Sequence, residues 1–241
     1  MKTDAEQSIR EEDKSLSPEA FRARRYRDAA NIRPIAEHPI KNRILVNGIQ
    51  VAWISTGWKR AFPETSSEVR IQKHTVSLFQ NDDPIGFAEF EVFLFNDYVD
   101  TWEFVRDADT VSQKLYDLAE GVRSVLERLM GDSFEFEPGM RIVEFDRLVM
   151  RPEVAGTSLW VAPITEFIRR KFKCSRRAWN YALVLRPFPL EYESGARAIG
   201  MVDDESLMRR RSAMARLYKR TLGVELAVPE ADAHWWMARL L

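Results

Sequence analysis

The stretch Ile142–Leu159, IVEFDRLVMRPEVAGTSL, decides how the chain is interpreted. Its first half is rich in β-branched and aromatic residues and predicts a strand over Arg141–Met150. Its second half carries Pro152 and Gly156, which predict a turn on the way to a helix. Backbone N–H groups at such a turn can bind a phosphate, and glycine permits a close approach of the backbone. The stretch therefore predicts a strand followed by a candidate phosphate-binding turn.

Upstream of this stretch, the sequence predicts four strands. Arg43–Val46 and Ile49–Ser55 flank Asn47-Gly48, the strongest short signal of a β-hairpin. His74–Gln80 shows the alternation of a strand. Ile85–Phe95 is almost wholly apolar, which is typical of a strand that is buried on both faces.

Helices are predicted between and after these strands. The clearest covers Asp109–Met130, where apolar residues recur every three or four positions and Thr110 and Gln113 fit a capping box. Farther on, Trp179–Leu185 predicts a strand and Asp204–Leu222 a long helix. Strands that alternate with helices imply βαβ units, so the expected fold is α/β, of the α+β kind with one central mixed sheet flanked by helices.

Composition limits the classes of protein that fit. The chain has 241 residues, 36 Lys plus Arg, 37 Asp plus Glu and a formal net charge of −1. We expect a charged N-terminal extension over 1–39 and a single domain over 40–241. The lone Cys174 excludes an internal disulfide, and His38, His74 and His234 lack metal-ligand spacing, so no metal is expected. Without an apolar leader or a long apolar run, we expect a cytoplasmic protein with no membrane partner.

A second stretch, Ala213–Gly223 (AMARLYKRTLG), gives a further clue to the function of the turn after Met150. It predicts a helix that ends in Leu217–Arg220 and is stopped by Leu-Gly, which resembles the late helix of the GNAT superfamily of N-acyltransferases. The turn at Pro152–Leu159 resembles that family's pyrophosphate loop. The strand Tyr181–Leu185 stands where the splayed strand of the family stands. The resemblance covers roughly residues 74–228 and agrees with the family's order of elements.

This resemblance implies a GNAT-like fold and direct acetyl transfer from acetyl-CoA, as co-substrate, to a primary amine of unknown identity. Tyr218 matches the family's acid, which protonates the leaving thiolate. The family often takes its base from a Glu on the strand before the loop; Glu144 is the first candidate and Asp146 the second, since residues two apart on a strand share a face. The alternative is that both carboxylates only pair with Arg141 or Arg147. The residues expected to contact acyl-CoA are Leu148, Val149, Met150, Ala155, Gly156, Thr157, Ser158 and Leu159.

Pro163 leaves open where the helix after the turn begins. A start at Ser158 places the proline inside the helix, at a cost of about 3 kcal/mol or a kink. A start at Pro163 leaves the turn at Gly156 about one helical turn away from the helix end.

Two basic segments keep other functions open. Arg22–Arg27 and Arg169–Arg177 are solvated helix surface in the simplest interpretation. They also suit the 3′-phosphate of CoA, an acidic acyl-carrier protein or nucleic acid, although nucleic acid is not favoured. The alternatives are an acyl transferase similar to N-acyl amino acid or acyl-homoserine lactone synthases, and a degenerate member of the fold that binds RNA or a protein. A homodimer is also left open.

Overall fold

The computed structural model describes residues 42–131, 134–155, 157–172, 181–187, 204–226 and 235–241. Several sequence predictions lie outside these residues: the N-terminal extension with Arg22–Arg27, Gly156, Cys174 and the second half of the basic segment that starts at Arg169. In the described part, no helix is long and apolar enough to cross a membrane.

Strands and helices alternate along the described residues. The strands are β1 (Arg43–Val46), β2 (Ile49–Ser55), β3 (Lys59–Arg60), β4 (Val69–Gln80), β5 (Asp83–Phe95), β6 (Val99–Asp100), β7 (Glu135–Phe136), β8 (Arg141–Met150), β9 (Tyr181–Leu185), β10 (Glu225–Leu226) and β11 (Met237–Leu240). The helices are α1 (Thr101–Asp109), α2 (Gln113–Met130), α3 (Pro152–Ala155), α4 (Val161–Lys171) and α5 (Asp204–Leu222).

Nine of the described strands form one mixed sheet, which confirms the predicted fold class. Its order is β1-β2-β4-β5-β8-β9-β11-β10, with β3 paired to β4, while β6 and β7 form a separate pair. Within the described ranges, β8 and β9 are the one parallel pair. The prediction of βαβ units is therefore right for β8 and β9 only. After β9 the chain passes through α5 to β11, which pairs antiparallel with β9, so these strands form no second βαβ unit.

Two tight turns shape the antiparallel half of the sheet. Asn47 and Gly48 have φ of 50° and 78°, as the predicted hairpin requires. Asn81 and Asp82 repeat this geometry with φ of 52° and 65° between β4 and β5. β4 begins earlier than predicted, at Val69, because its first residues pair with the far end of β5.

The helix predicted over Asp109–Met130 begins four residues later, at Gln113, and a separate helix that was not predicted, α1, ends at Asp109. Thr110 Oγ1 donates to the carbonyl oxygen of Asp107 at 2.7 Å and closes α1. Ser112 is extended, and its hydroxyl accepts from the backbone N–H of Leu115 at 3.3 Å, so Ser112 caps α2. The predicted capping box at Thr110 and Gln113 is therefore wrong, because a cap needs an extended residue and Thr110 is helical.

Each face of the sheet carries its own apolar core. On one face, α4 and α5 pack with aromatic residues of β5 and β8, and Phe90 and Phe145 stack there at 4.8 Å. On the other face, α1 and α2 pack over Phe93, Phe95 and their neighbours. Gly121 permits the close approach of α2 to Trp236, since a Cβ at this glycine would lie 2.2 Å from the indole nitrogen.

Candidate active site

The parallel strands β8 and β9 run side by side only along their first residues. Their Cα pairing begins at Arg141 with Tyr181 and ends at Glu144 with Val184. From Phe145 onward, no strand in the described ranges pairs with this edge of β8. The sheet therefore opens into a wedge whose β8 wall presents backbone groups that no strand bonds.

A β-bulge lies where the wedge opens. Arg147 is opposite Glu89 of β5 and Phe145 is opposite Phe90, which leaves Asp146 as the extra residue. A bulge bends its strand and redirects side chains, and bulges are frequent beside active sites. Here it directs Asp146 and Arg147 to the same face, where Arg147 Nε lies 3.0 Å from Asp146 Oδ2 and 3.1 Å from Glu89 Oε2.

A cleft occupies the wedge and brings together two of the predicted site residues. Its walls are Phe145–Leu148 of β8, Leu185 and Arg186 at the end of β9, and Met214 and Tyr218 of α5. Asp146 and Tyr218 thus line one cleft, as their predicted roles require. Glu144 is not in the lining; it lies one step earlier on β8.

Tyr218 is almost fully buried near the C-terminal end of α5. Its ring contacts Phe145 and Trp160 edge to face, with centroids 6.1 and 6.3 Å away. Burial raises the pKa of the phenol to about 12. The hydroxyl therefore keeps its proton at neutral pH and is able to donate it.

Glu144 is a buried carboxyl group with an unusual charge state. Its Oε2 is shielded from solvent and has no hydrogen-bond partner. Burial raises the pKa of Glu144 to about 8; the nearby Lys114 ammonium opposes this rise, while Asp146 and Glu91 add to it. The carboxyl group is therefore mostly protonated at neutral pH and ionises just above it.

Asp146 has the opposite electrostatics, although it shares the face of Glu144. Burial alone would raise its pKa, but Lys114 and Arg147 outweigh burial and hold the pKa below its usual value. Lys114 Nζ lies 2.9 Å from Asp146 Oδ1. Asp146 is therefore ionised, and the expected pairing with Arg147 is confirmed for this carboxylate.

Lys114, at the start of α2, ties the carboxylates of two strands together. Its ammonium lies 3.8 Å from Glu91 Oε1, and Lys73 reaches the same oxygen at 2.5 Å. Burial alone would lower the pKa of Lys114, but the charges of Glu144, Asp146 and Glu91 outweigh burial and raise it. Sequence reasoning missed Lys114; the signal available was that Glu89 and Glu91 are the charges of an otherwise apolar strand.

Arg186 is a second residue that sequence reasoning missed. It follows β9 directly and lines the cleft from that side. Its guanidinium lies 5.8 Å from the ring centre of Trp236, and its Nη1 lies 3.5 Å from Asp117 Oδ2. The cleft thus has a guanidinium on its β9 side and a carboxylate on its β8 side.

The residues predicted to contact acyl-CoA fall into two groups. Leu148, Val149 and Met150 form the end of β8, beside the wedge. Ala155 ends α3, Gly156 lies outside the described residues, and Thr157, Ser158 and Leu159 form an exposed turn before α4. Thr157 Oγ1 donates to the carbonyl oxygen of Val154 at 2.7 Å, which holds this turn against α3.

Both starts considered for the helix after this turn are wrong. α4 begins at Val161, so Pro163 is its third residue. The first N–H groups of a helix have no partner within it, so a proline there removes no hydrogen bond. The turn therefore leads directly into α4, and no side chain caps the start of this helix.

The basic segment contributes little free charge to the described surface of α4. Glu166 binds Arg169 Nη2 at 2.7 Å and Arg170 Nε at 2.5 Å on the same helix. These two cations are therefore partly neutralised by their own helix, as the interpretation of a solvated helix surface requires.

In the described part of the chain, no three side chains of His, Cys, Asp or Glu are grouped so that they would hold a metal ion. No protein-family model matches the chain, and no curated protein matches its sequence. The function is therefore argued from the cleft and from the motifs that form it.

Proposed function

We propose that this protein transfers an acetyl group from acetyl-CoA to a primary amine in the cleft between β8 and β9, as its resemblance to the GNAT superfamily implies. The observation that carries the proposal is the meeting of Asp146 and Tyr218, which are far apart in sequence, in one cleft where two parallel strands separate. A bulge at Asp146 opens this cleft.

Two features of the structure suit the acyl donor. The pantetheine arm of CoA carries amide groups, and an unpaired strand edge binds such groups as it would bind another strand. Beyond Glu144, no strand of the described ranges pairs with the edge of β8 that faces β9. The exposed turn at Thr157–Leu159 precedes the N-terminus of α4, where a phosphate is favoured by the helix dipole.

The size of the cleft favours a small acyl group. The cleft encloses about 20 Å³, close to the room that one water molecule needs. Every acyl group is larger than this space, so side chains must move to admit one, and an acetyl group requires the smallest movement. This observation supports acetyl-CoA over a long-chain donor on acyl-carrier protein.

The chemistry is direct transfer. The neutral amine attacks the thioester carbon, a C–N bond forms, and the C–S bond breaks as the tetrahedral intermediate collapses. Tyr218 gives its proton to the leaving thiolate, which leaves as a thiol. The proton that the amine loses passes to a base and finally restores the Tyr218 hydroxyl, so a neutral amine and acetyl-CoA give an amide and free CoA with no net release of a proton.

Glu144 is the proposed base and Asp146 a residue that positions it. A base works best when its pKa lies near the working pH, and the pKa of Glu144 is about 8. Asp146 lines the cleft but is held ionised by Lys114 and Arg147, which makes it a weak proton acceptor. We place Asp146 at the cleft and Glu144 behind it as the proton acceptor, reached through one water molecule.

The first test combines binding with turnover. Isothermal titration should detect acetyl-CoA binding, and Tyr218→Phe should keep this binding but lower kcat by about 10²-fold or more, because only the proton donor is lost. Tyr98→Phe, at an exposed tyrosine, is the matched control and should behave like the native protein. No binding at millimolar acetyl-CoA, or binding of long-chain acyl donors alone, would overturn the proposal.

The second test separates the two carboxylates. In the native protein, kcat/KM should rise with pH through an apparent pKa near 8, as Glu144 ionises. Glu144→Gln should lower the rate by about 10²-fold and abolish this rise. In Asp146→Asn, kcat/KM should still rise with pH, but at a different midpoint. Glu68→Gln, which breaks a distant ion pair, serves as the control. A native profile without this rise would remove Glu144 from the role of base.

A further inference from the structure

We propose that the acceptor amine also carries a carboxylate, as an α-amino acid does, and that Arg186 binds this carboxylate. The inference rests on the acetyl transfer proposed above and specifies its second substrate. Arg186 lines the cleft from the end of β9, and Asp146 lines it from β8. A molecule that bears a carboxylate and an ammonium can direct the first to Arg186 and the second toward Asp146, which it then shares with Lys114 and Arg147.

Trp236 and Asp117 are neighbours of the Arg186 guanidinium. The ring of Trp236 lies 5.8 Å from it, and Trp236 is itself fixed against α2 because Gly121 leaves no room for movement there. Asp117 Oδ2 lies 3.5 Å from Nη1. This distance is long for a charge-assisted hydrogen bond, so a substrate carboxylate at an ordinary distance competes well with Asp117.

Arginine at this position favours a carboxylate over other partners. Its guanidinium presents parallel N–H donors that match the two oxygens of a carboxylate, and its charge does not change with pH. The side chain is about one-third exposed, at 34%, so a ligand in the cleft reaches it. Leu148, Leu185 and Met214 give part of the wall an apolar character, while Arg147 adds a second guanidinium beside Asp146.

The decisive experiment compares matched acceptors. With acetyl-CoA at saturation, CoA release is measured with phenylalanine and 2-phenylethylamine, and with methionine and its decarboxylated amine. We expect kcat/KM to be on the order of tenfold to a hundredfold higher for each amino acid than for the amine without the carboxylate. Arg186→Gln should abolish this preference, whereas Arg186→Lys should keep part of it because the charge remains.

Two controls separate this inference from the proposed function. Arg43→Gln, at an exposed arginine on the opposite edge of the sheet, should keep the full preference. Acetyl-CoA should bind Arg186→Gln as tightly as the native protein, which also shows that the variant is folded. Transfer that ignores the carboxylate, or a loss of acetyl-CoA binding in Arg186→Gln, would overturn this inference alone. Absence of acetyl-CoA binding to the native protein would overturn the proposed function as well.

Discussion

Each face of the sheet buries titratable side chains, and two of them, His74 and Glu144, have different surroundings. On the face covered by α4 and α5, His74 is 1% exposed, and its Nδ1 lies 2.7 Å from the hydroxyl of Ser55. On the face covered by α1 and α2, Glu144 is 5% exposed, and its Oε2 has no hydrogen-bond partner. One buried group is satisfied by a neighbour on the adjacent strand, and the other is left with an unsatisfied oxygen.

The difference lies in the surroundings of the two buried groups. Around His74 lies a continuous apolar core with Phe172 edge to face at 5.5 Å. Around Glu144 lie Lys114, Asp146 and Glu91, at the point where the α1–α2 core ends. A buried polar group without a partner is costly to stability, so its presence beside the cleft points to a functional role.

The largest effect tests the packing of the two faces through neighbouring positions on β5. Phe90→Ala should lower the free energy of unfolding by about 3–5 kcal/mol, and Phe93→Ala by somewhat less. Phe90 contacts the rings of Phe145, Phe167 and Phe172 within 5.8 Å, whereas Phe93 contacts Phe104 at 6.1 Å. Chemical denaturation measures both. Equal losses would show that the two cores are packed alike.

Local features of the fold could be predicted from the sequence. Arg141–Met150, the Asn47-Gly48 hairpin and the helix at Asp204–Leu222 have the predicted bounds, because period, turn residues and caps are set by neighbours in the chain. The start of the helix predicted from Asp109 was misplaced, since Thr110 and Ser112 both look like caps and only their backbone geometry distinguishes them.

The candidate site could be predicted from the sequence only in part. That Glu144 and Asp146 share a face follows from strand alternation, and their common neighbour Lys114 agrees with it. The bulge that places Arg147 on this face as well is a property of pairing with β5, which no local pattern records. Lys114 and Arg186 reach the carboxylates through tertiary packing. The meeting of Asp146 with Tyr218 was suggested by the family resemblance, since periodicity says nothing about which distant residues meet.

The second prediction uses the pH dependence of stability to test the charged face. The pKa of Glu144 rises from 4.5 to about 8 on folding, so its contribution to stability is full below pH 4.5 and is lost as pH rises through about 8. Because each pKa unit corresponds to about 1.4 kcal/mol, the loss amounts to a few kcal/mol. Glu144→Gln should remove this loss. Between pH 5 and pH 9, the melting temperature of the variant should therefore rise relative to that of the native protein.

A matched control for this prediction is Glu68→Gln, which removes an exposed carboxylate just before β4 and should track the native protein at every pH. If the native protein and Glu144→Gln lose stability in parallel as pH rises, the buried carboxyl group is already ionised in the folded protein. That result would also weaken its assignment as the base.

The smallest effect concerns His74 and has the opposite sign. Burial, with a smaller contribution from the Lys171 ammonium, lowers the pKa of His74 from 6.5 to about 4. Its contribution to stability is therefore full above pH 6.5 and is lost as pH falls through about 4. His74→Asn keeps a side chain that can bond to Ser55 but cannot gain a charge. As pH falls from 6.5 to 4, this variant should become more stable relative to the native protein, by about 3 kcal/mol at most.

Thermal unfolding over this pH range measures the difference in stability, with Ser55→Ala as the control that retains the imidazole and its acid sensitivity. A His74→Asn variant as acid-sensitive as the native protein would mean that acid acts elsewhere, and the two faces would then differ in packing but not in their response to pH.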